Sequence, residues 1–551
     1  MITDLKINKE ARKRYYEEGW WTGDTIADVW HASAEAAGDK VFVVDDQGGR
    51  FTYRQCDEMS DKVAAWLVSV GVEAGDVVTV QLPTWAEFVP VMIGIWKAGA
   101  VIHPVARNYS AGDLSFVMNK VGSRAFVCPV RHHTTDHEQL ALDLLDAVPT
   151  LERARILLLR KHGPEKTGEL ACFEELLAAP AAPVKLPDAG SDDVACILST
   201  SGTTGKPKQA LLTHNNILFS ERTFLSGLGR TDADVMFMPS PLNHATGLFH
   251  GIISPMLLRG MTVLQQDFQR DAAVDLINEY GITWSMGATP FIYDILHSLI
   301  ERSLSVPTLK LFVCGGAPLP RDLVKCAHIH GISLCECYGS TESCPHAYVP
   351  PEHCLDWKGA WSGVALPGVE IRIVDDERRD VPCGTMGEEA SRGPNVFVGY
   401  LNDPEQTEAS LDDEGWFYSG DLAIADAEGR IHICGRKKEI IVRGGENIST
   451  REVDNAVMSW GDIVDSAVVG APDERMGERI CLFAVAAPGL DHAPRLDDLL
   501  EHLRAKGVSK RLWPERLELI DEIPRTPTGK VQRYLLTREL KARMGLPTDG
   551  D

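Results

Sequence analysis

This 551-residue sequence predicts an α/β fold: a large N-terminal domain of several subdomains built on largely parallel sheets, followed by a smaller α/β domain. Three observations predict it. Short apolar strands alternate with stretches of helical periodicity over most of the chain. Past about residue 360 this texture gives way to short strands joined by tight turns. Charge is also unevenly divided: residues 437–551 carry 18 Lys/Arg against 20 Asp/Glu, whereas 1–436 carry 37 against 59. The reading is therefore a domain 1–436 and a domain 437–551.

In chain order, "KVFVVDD" reads as a strand, and "YRQCDEMSDKVAAWLVSVGV" repeats its apolar residues at helical spacing. The strand "DVVTVQLP", a helix through "EFVPVMIGIWKAGA" and the strand "VIHPV" follow. Further strands are expected at "RAFVCP", "VACILST", "TVLQQ", "ITWSMGAT", "LKLFVCGG" and "ISLCECYG", the last with alternate residues buried. Strands "VEIRIVDD" and "GEEASRG" lead to "FYSGDLAIADAEGRIHICGR", which turns at Ala427-Glu428-Gly429. Beyond Arg436, "SAVVGAP" and "RICLFAVAAP" read as strands and "RLDDLLEHLRAKG" as a helix.

A net charge of −24 argues against nucleic acid and anionic membrane surfaces, which need a basic face. The apolar run Phe88–Trp96 is too short to span a bilayer, so no integral membrane association is expected. The charged N-terminal stretch lacks a signal-peptide core, and the expectation is a cytoplasmic protein, monomeric or homodimeric. Thirteen cysteines scattered along the chain read as reduced thiols. Cys335, Cys337, Cys344 and His346 lack the paired C-x2-C knuckle of structural zinc sites.

Ser199–Asn215, "STSGTTGKPKQALLTHN", has the makings of a phosphate-binding loop. It is not a Walker loop: Gly202 and Gly205 are three positions apart, and Pro207 occupies the place of the metal-binding hydroxyl. A glycine-rich turn after a strand exposes backbone N–H groups, and Thr200, Ser201, Thr203 and Thr204 add hydroxyls. Lys206 and Lys208 bring positive charge, and helical spacing resumes after Asn215.

The motifs "STSGTTGKPK", "PLNHATG", "CGGAPLP", "CYGSTES", "FYSGDLA", "GRKKEIIVRGGENIS" and "IPRTPTGKVQR" stand in the order found in adenylate-forming enzymes. From about residue 20 onward the chain resembles that superfamily of acyl-CoA synthetases, free-standing adenylation domains and firefly luciferase. "NHATGLFHG", "GATPFIYDIL" and "RGPNVFVGY" make it most similar to short- and medium-chain fatty acyl-CoA synthetases and cyclohexanecarboxylate–CoA ligases. The resemblance implies a two-step reaction with ATP, Mg²⁺ and coenzyme A. A carboxylate displaces pyrophosphate from ATP to give an acyl-adenylate, and the CoA thiol then displaces AMP. A separate acyl-carrier protein is the alternative acceptor.

The same resemblance assigns roles. The loop Thr200–Lys208 (Thr200, Ser201, Gly202, Thr203, Thr204, Gly205, Lys206, Lys208) would hold the β- and γ-phosphates; Gln209 stands where relatives usually carry glycine. Thr341 and Glu342 would contact the α-phosphate, with Glu342 holding Mg²⁺. Tyr338 would stack on adenine, with Gly339 beside it among the ATP-binding residues and Gly315, Gly316 and Ala317 lining the other face of that pocket. Asp421 would accept the ribose hydroxyls, helped by Arg436, with Ser419 in place of the commoner threonine. Lys530 would reach the α-phosphate from a mobile C-terminal domain that hinges at Lys438. Gly444, Gly445 and Glu446 would line the CoA tunnel.

His244 would gate the acyl site, and Asn243, Ala245, Gly247, Leu248, Gly287, Ala288 and Cys344 would line it. This lining is small and apolar and offers no aspartate to pair an amino-acid ammonium. It implies an uncharged short- or medium-chain or alicyclic acid.

Overall fold

The computed structural model describes residues 2, 5–163, 168–180, 185–200, 207–316, 319–443, 446–525 and 531–546, without the side chains of 438, 446 and 447. The chain forms two compact units. The larger comprises Met1–Ile371, Ala390–Tyr418 and Glu428–Ile431; the smaller comprises Arg372–Glu389, Ser419–Ala427 and His432–Asp551. The smaller unit thus takes in two segments that precede residue 436.

Two largely parallel sheets build the larger unit, as the alternation of strands and helices predicts. One has seven strands, in the order 208–213, 194–200, 101–104, 77–80, 125–129, 156–159, 171–172. Its pairings are parallel except for the edge hairpin Val194–Thr200/Lys208–Thr213. The other has nine, with Ser333–Tyr338, Leu311–Cys314, Trp284–Gly287, Val235–Met238, Met261–Leu264 and Val41–Asp45 adjacent and parallel in that order. One hydrophobic core serves both: Val78, Ile102 and Leu198 share it with Val43, Met236 and Val313.

Local chemistry sets the helices. Thr52 and Gln55 form a capping box at the start of Tyr53–Ser69, as do Thr213 and Asn216 at His214–Gly227. Phe88–Lys97 buries every residue from Phe88 to Trp96, and Pro90 is tolerated because it lies in the first turn. Thr246–Ile253 is a π-helix, a form that is rare and frequent at functional sites. The strand Ser333–Tyr338 departs from the expected alternation: Leu334, Cys335, Glu336 and Cys337 are all buried. A central parallel strand is covered on both faces, so period-two burial does not apply.

In the smaller unit, Ile463–Asp473 and Gly477–Ala486 pair antiparallel along their length, with Arg516–Leu519 added in parallel. These are the two strands expected beyond Arg436, and the expected helix runs over Leu496–Ala505. Ile441, Val468, Leu482, Leu499 and Leu503 form the core. Among the described residues, no helix is long and apolar enough to cross a membrane.

Candidate active site

Ligand sites in parallel α/β sheets lie beyond the carboxyl ends of the strands. In the larger unit those ends carry most of the predicted residues. The register of the edge hairpin closes at Thr200 opposite Lys208. The glycine-rich turn therefore joins two antiparallel strands, and the helix predicted near Asn215 begins only after the second of them, at His214. Ser201, Gly202, Thr203, Thr204, Gly205 and Lys206 lie outside the described residues.

The second hairpin strand gains a further partner on its outer side. Leu211 N–H donates to the Gly399 carbonyl at 3.0 Å, Val398 N–H to the Leu211 carbonyl at 3.0 Å, and Leu401 N–H to the Gln209 carbonyl at 2.9 Å. This pairing fixes Tyr400. Its hydroxyl accepts from Lys208 Nζ at 2.8 Å and donates to Glu342 Oε1 at 2.7 Å. Lys208 Nζ also stands 4.0 Å from the Tyr400 ring centroid. Phe397 N–H donates to the Glu342 carbonyl at 2.8 Å, so the backbones are joined as well as the side chains. Burial, then the Glu342 charge and the hydrogen bond to it, push the Tyr400 phenol far up, so it remains a donor. Sequence reasoning missed Tyr400. "RGPNVFVGY" was visible as a motif, but the pairing that brings it to Lys208 spans 192 residues.

Glu342 is buried and Thr341 half-buried on the turn after Ser333–Tyr338, where Ser340 N–H donates to the Ser343 carbonyl at 3.1 Å. Tyr338 is half-buried, and His346 packs edge-on to it with centroids 4.8 Å apart. His346 Nδ1 donates to the Ser343 carbonyl at 2.7 Å. Gly339 and Gly316 are exposed and Gly315 half-buried at the ends of neighbouring strands; Ala317 lies outside the described residues.

Asn243, His244 and Ala245 are half-buried just before the π-helix. Gly247 is buried, and a Cβ there would lie 2.0 Å from the Pro241 carbonyl oxygen; Leu248 is wholly within the core. Gly287 packs against the Phe291 ring and near Ser240, while Ala288 is exposed. Cys344 is half-buried with Sγ 4.0 Å from His250 Nε2. His250 Nδ1 in turn is 2.9 Å from Glu221 Oε2, to which the Ser254 hydroxyl also donates. This fully buried acid–imidazole pair behind Cys344 was not read from the sequence, since nothing in the helical pattern of residues 214–227 distinguishes Glu221 from a surface acid. Burial raises the Cys344 thiol well above its usual range, so it stays a neutral thiol.

In the smaller unit, Arg436 Nε pairs with Asp421 Oδ1 at 3.0 Å. Asp421 N–H donates to Ser419 Oγ at 3.1 Å, and that hydroxyl donates to the Glu389 carbonyl at 2.8 Å. Serine thus makes both hydrogen bonds at this position. Lys437 bridges Asp376 and Glu388 at 2.8 and 3.0 Å. The Lys438 side chain, Gly444, Gly445, the Glu446 side chain and Lys530 lie outside the described residues.

Comparison with known proteins accords with this geometry. Residues 30–401 match the family model described as AMP-binding enzyme, and residues 452–530 match its C-terminal domain. The medium-chain fatty-acid–CoA ligase of Escherichia coli (strain K12) is 40% identical, over 99% of this chain and 95% of its own. The salicylyl-CoA synthase / salicylate adenylyltransferase of a Streptomyces species is 30% identical over 96% of both chains. Among solved structures, ATP-bound MatB from Rhodopseudomonas palustris superposes with a TM-score of 0.80 at 27% identity, covering 94% of this chain and 99% of that one. The chain belongs to the family of AMP-binding enzymes.

Proposed function

We propose that this protein is an AMP-forming acid–thiol ligase that joins an apolar carboxylic acid to coenzyme A at the expense of ATP. The observation that carries this reading is the Lys208–Tyr400–Glu342 chain, which ties the stem of the glycine-rich turn to a buried carboxylate. The donor set suits Mg²⁺: one hard carboxylate oriented by a phenol, with phosphate oxygens and water completing the shell. Among the described residues no group of three or more His, Cys, Asp or Glu could hold a metal unaided. When bound, the ion would neutralise phosphate charge. Glu342 would hold it, Lys208 would sit beside the phosphates, and Tyr400 would keep the two apart at a fixed distance.

The reaction proceeds in two steps. A carboxylate oxygen attacks the α-phosphorus in line and pyrophosphate leaves; the CoA sulfur then attacks the acyl carbonyl and AMP leaves. Both steps depend chiefly on positioning and charge neutralisation. Lys530 serves the first, and the domain 437–551 reorients about Lys438 for the second, where Gly444, Gly445 and Glu446 line the thiol path. Asp421 and Arg436 hold the ribose. The small and apolar surroundings of Asn243–Ala245 and Cys344, together with the medium-chain relative, favour a medium-chain or alicyclic acid such as cyclohexanecarboxylate.

The test is ATP- and Mg²⁺-dependent thioester formation across straight-chain acids, cyclohexanecarboxylate, benzoate and amino acids, with AMP and pyrophosphate followed together. A medium-chain or alicyclic optimum with one AMP per thioester is expected. AMP and pyrophosphate without thioester would overturn CoA as acceptor in favour of a carrier protein, and no AMP with any acid would overturn the ligase.

A further inference from the structure

Beneath the glycine-rich hairpin, four strands and the loop before Ala125–Pro129 carry a line of buried polar side chains that the ligase reading leaves unused. Gln209, His103, Thr79 and Ser123 are fully buried, and Ser199 is half-buried beside them. Hydrogen-bond chemistry fixes the direction of each link. The Ser123 hydroxyl donates to the Ala125 carbonyl at 3.0 Å. Its proton is thereby committed, so Thr79 Oγ1, 2.7 Å away, must be the donor to Ser123 Oγ. Thr79 Oγ1 then accepts from His103 Nδ1–H at 3.1 Å. Burial drives the His103 pKa down to about 3, so the ring is neutral and its Nε2 is a bare acceptor.

From the other end, the Ser199 hydroxyl donates to Gln209 Oε1 at 2.9 Å, which turns the amide Nε2 away from Ser199 as a donor. Gln209 Nε2 and His103 Nε2 are both buried and, among the described residues, complete no hydrogen bond. One is an obligate donor and the other, in the tautomer just derived, an acceptor. The Gln209 side chain lies against this imidazole. Each unmade bond in such a place is costly, so side chains of this kind are retained where they hold something in register.

We propose that Gln209 is a positioning residue for ATP: by joining Ser199 to His103, Thr79 and Ser123 it locks the hairpin stem that presents Thr200 and Lys208 to phosphate. The inference rests on the ligase reading for the identity of the ligand. Gln209 is adjacent to Lys208 and, through Ser199, to Thr200, so the line ends on both residues that flank the turn. A glycine here could not reach across to the next strands.

Calorimetric ATP binding and steady-state kinetics on Gln209→Met, which keeps volume and loses the amide, and on Thr79→Val, three strands away, test it. Both variants should weaken ATP binding about five-fold, the worth of one net hydrogen bond, and raise KM for ATP alike. kcat, and KM for the carboxylate and CoA, should stay within about two-fold. In the wild type, the His103 imidazole NMR signals should show an Nδ1–H tautomer whose Nε2 resonance moves in Gln209→Met. Unchanged ATP affinity in either folded variant, or a uniform loss for all three substrates, overturns the proposal. If Gln209→Met fails to fold, Thr79→Val and Gln209→Asn decide it by the same criteria. A wild type that binds ATP but forms no thioester would instead strike the ligase reading and leave this one standing.

Discussion

Replacing Tyr400 by Phe removes one oxygen and leaves the ring against its strand. That oxygen accepts from Lys208 at 2.8 Å and donates to Glu342 at 2.7 Å, so its loss breaks two charge-assisted hydrogen bonds. Such bonds are worth about 1.5–3 kcal/mol each, but the two share one atom and are not additive. Lys208 keeps the ring face 4.0 Å from its ammonium, which retains about 0.5–2 kcal/mol of attraction. Glu342 is only 8% exposed, so water replaces the phenol poorly. The net loss is therefore about 2–3 kcal/mol, or roughly 30- to 150-fold in kcat/KM for MgATP. ATP–pyrophosphate exchange at varied ATP and Mg²⁺ measures it, with thermal denaturation in parallel to separate loss of fold from loss of function. A Tyr400→Phe enzyme within about three-fold of wild type would refute the view that this hydroxyl organises the phosphate and metal groups.

Acid should destabilise the larger unit through His103 and His214, whose pKa values burial lowers to about 3 and about 4. Unfolded, they bind protons below about pH 6.5 while the native rings stay neutral, so stability is full above that pH and falls below it by about 1.4 kcal/mol per pH unit and histidine. Urea unfolding should show about 4 kcal/mol lost between pH 7 and 5, and His103→Gln should recover about half; no recovery would contradict the assignment. Lys530→Ala should abolish adenylation yet spare thioester formation from supplied acyl-adenylate, and equal loss of both would sink the domain-alternation account. Gly247→Ala places a methyl 2.0 Å from the Pro241 carbonyl oxygen and should cost about 1–3 kcal/mol while altering carboxylate KM. An unchanged melting temperature and acid profile would mean that the start of the π-helix moves freely.

What could be read from the sequence was local. The parallel strands announced themselves as short apolar runs, the helix after Asn215 as a helical period, and the glycine-rich turn as a density of donors. What could not be read depends on pairings between distant segments. Lys208 was legible as a cation at the glycine-rich turn, but its partner Tyr400 was not, because that contact comes from residues 396–401 lying along 208–213. Cys344 was legible as a small apolar residue, whereas the Glu221–His250 pair behind it requires a π-helix, and no hydrophobic period signals one. Gln209 read as a mere departure from a motif until the burial of His103 gave it a neighbour. Alternation failed at Ser333–Tyr338 for the same reason: coverage of both faces is a property of the sheet.

The pairing of residues 396–401 with the hairpin also bears on how the chain is made. Without it, the strand Lys208–Thr213 would be an open edge, a ready template for intermolecular pairing. A nascent chain that has not yet extended past residue 396 presents that edge, and it does so with Lys208 and Glu342 still unlinked. Closure comes only when Tyr400 arrives, across a separation of 192 residues, and one event both seals the sheet and joins Lys208, Tyr400 and Glu342. Truncation within this span should therefore yield aggregation before it yields an inactive soluble protein, and on the ribosome the Lys208–Tyr400–Glu342 link is among the last features of the larger unit to form.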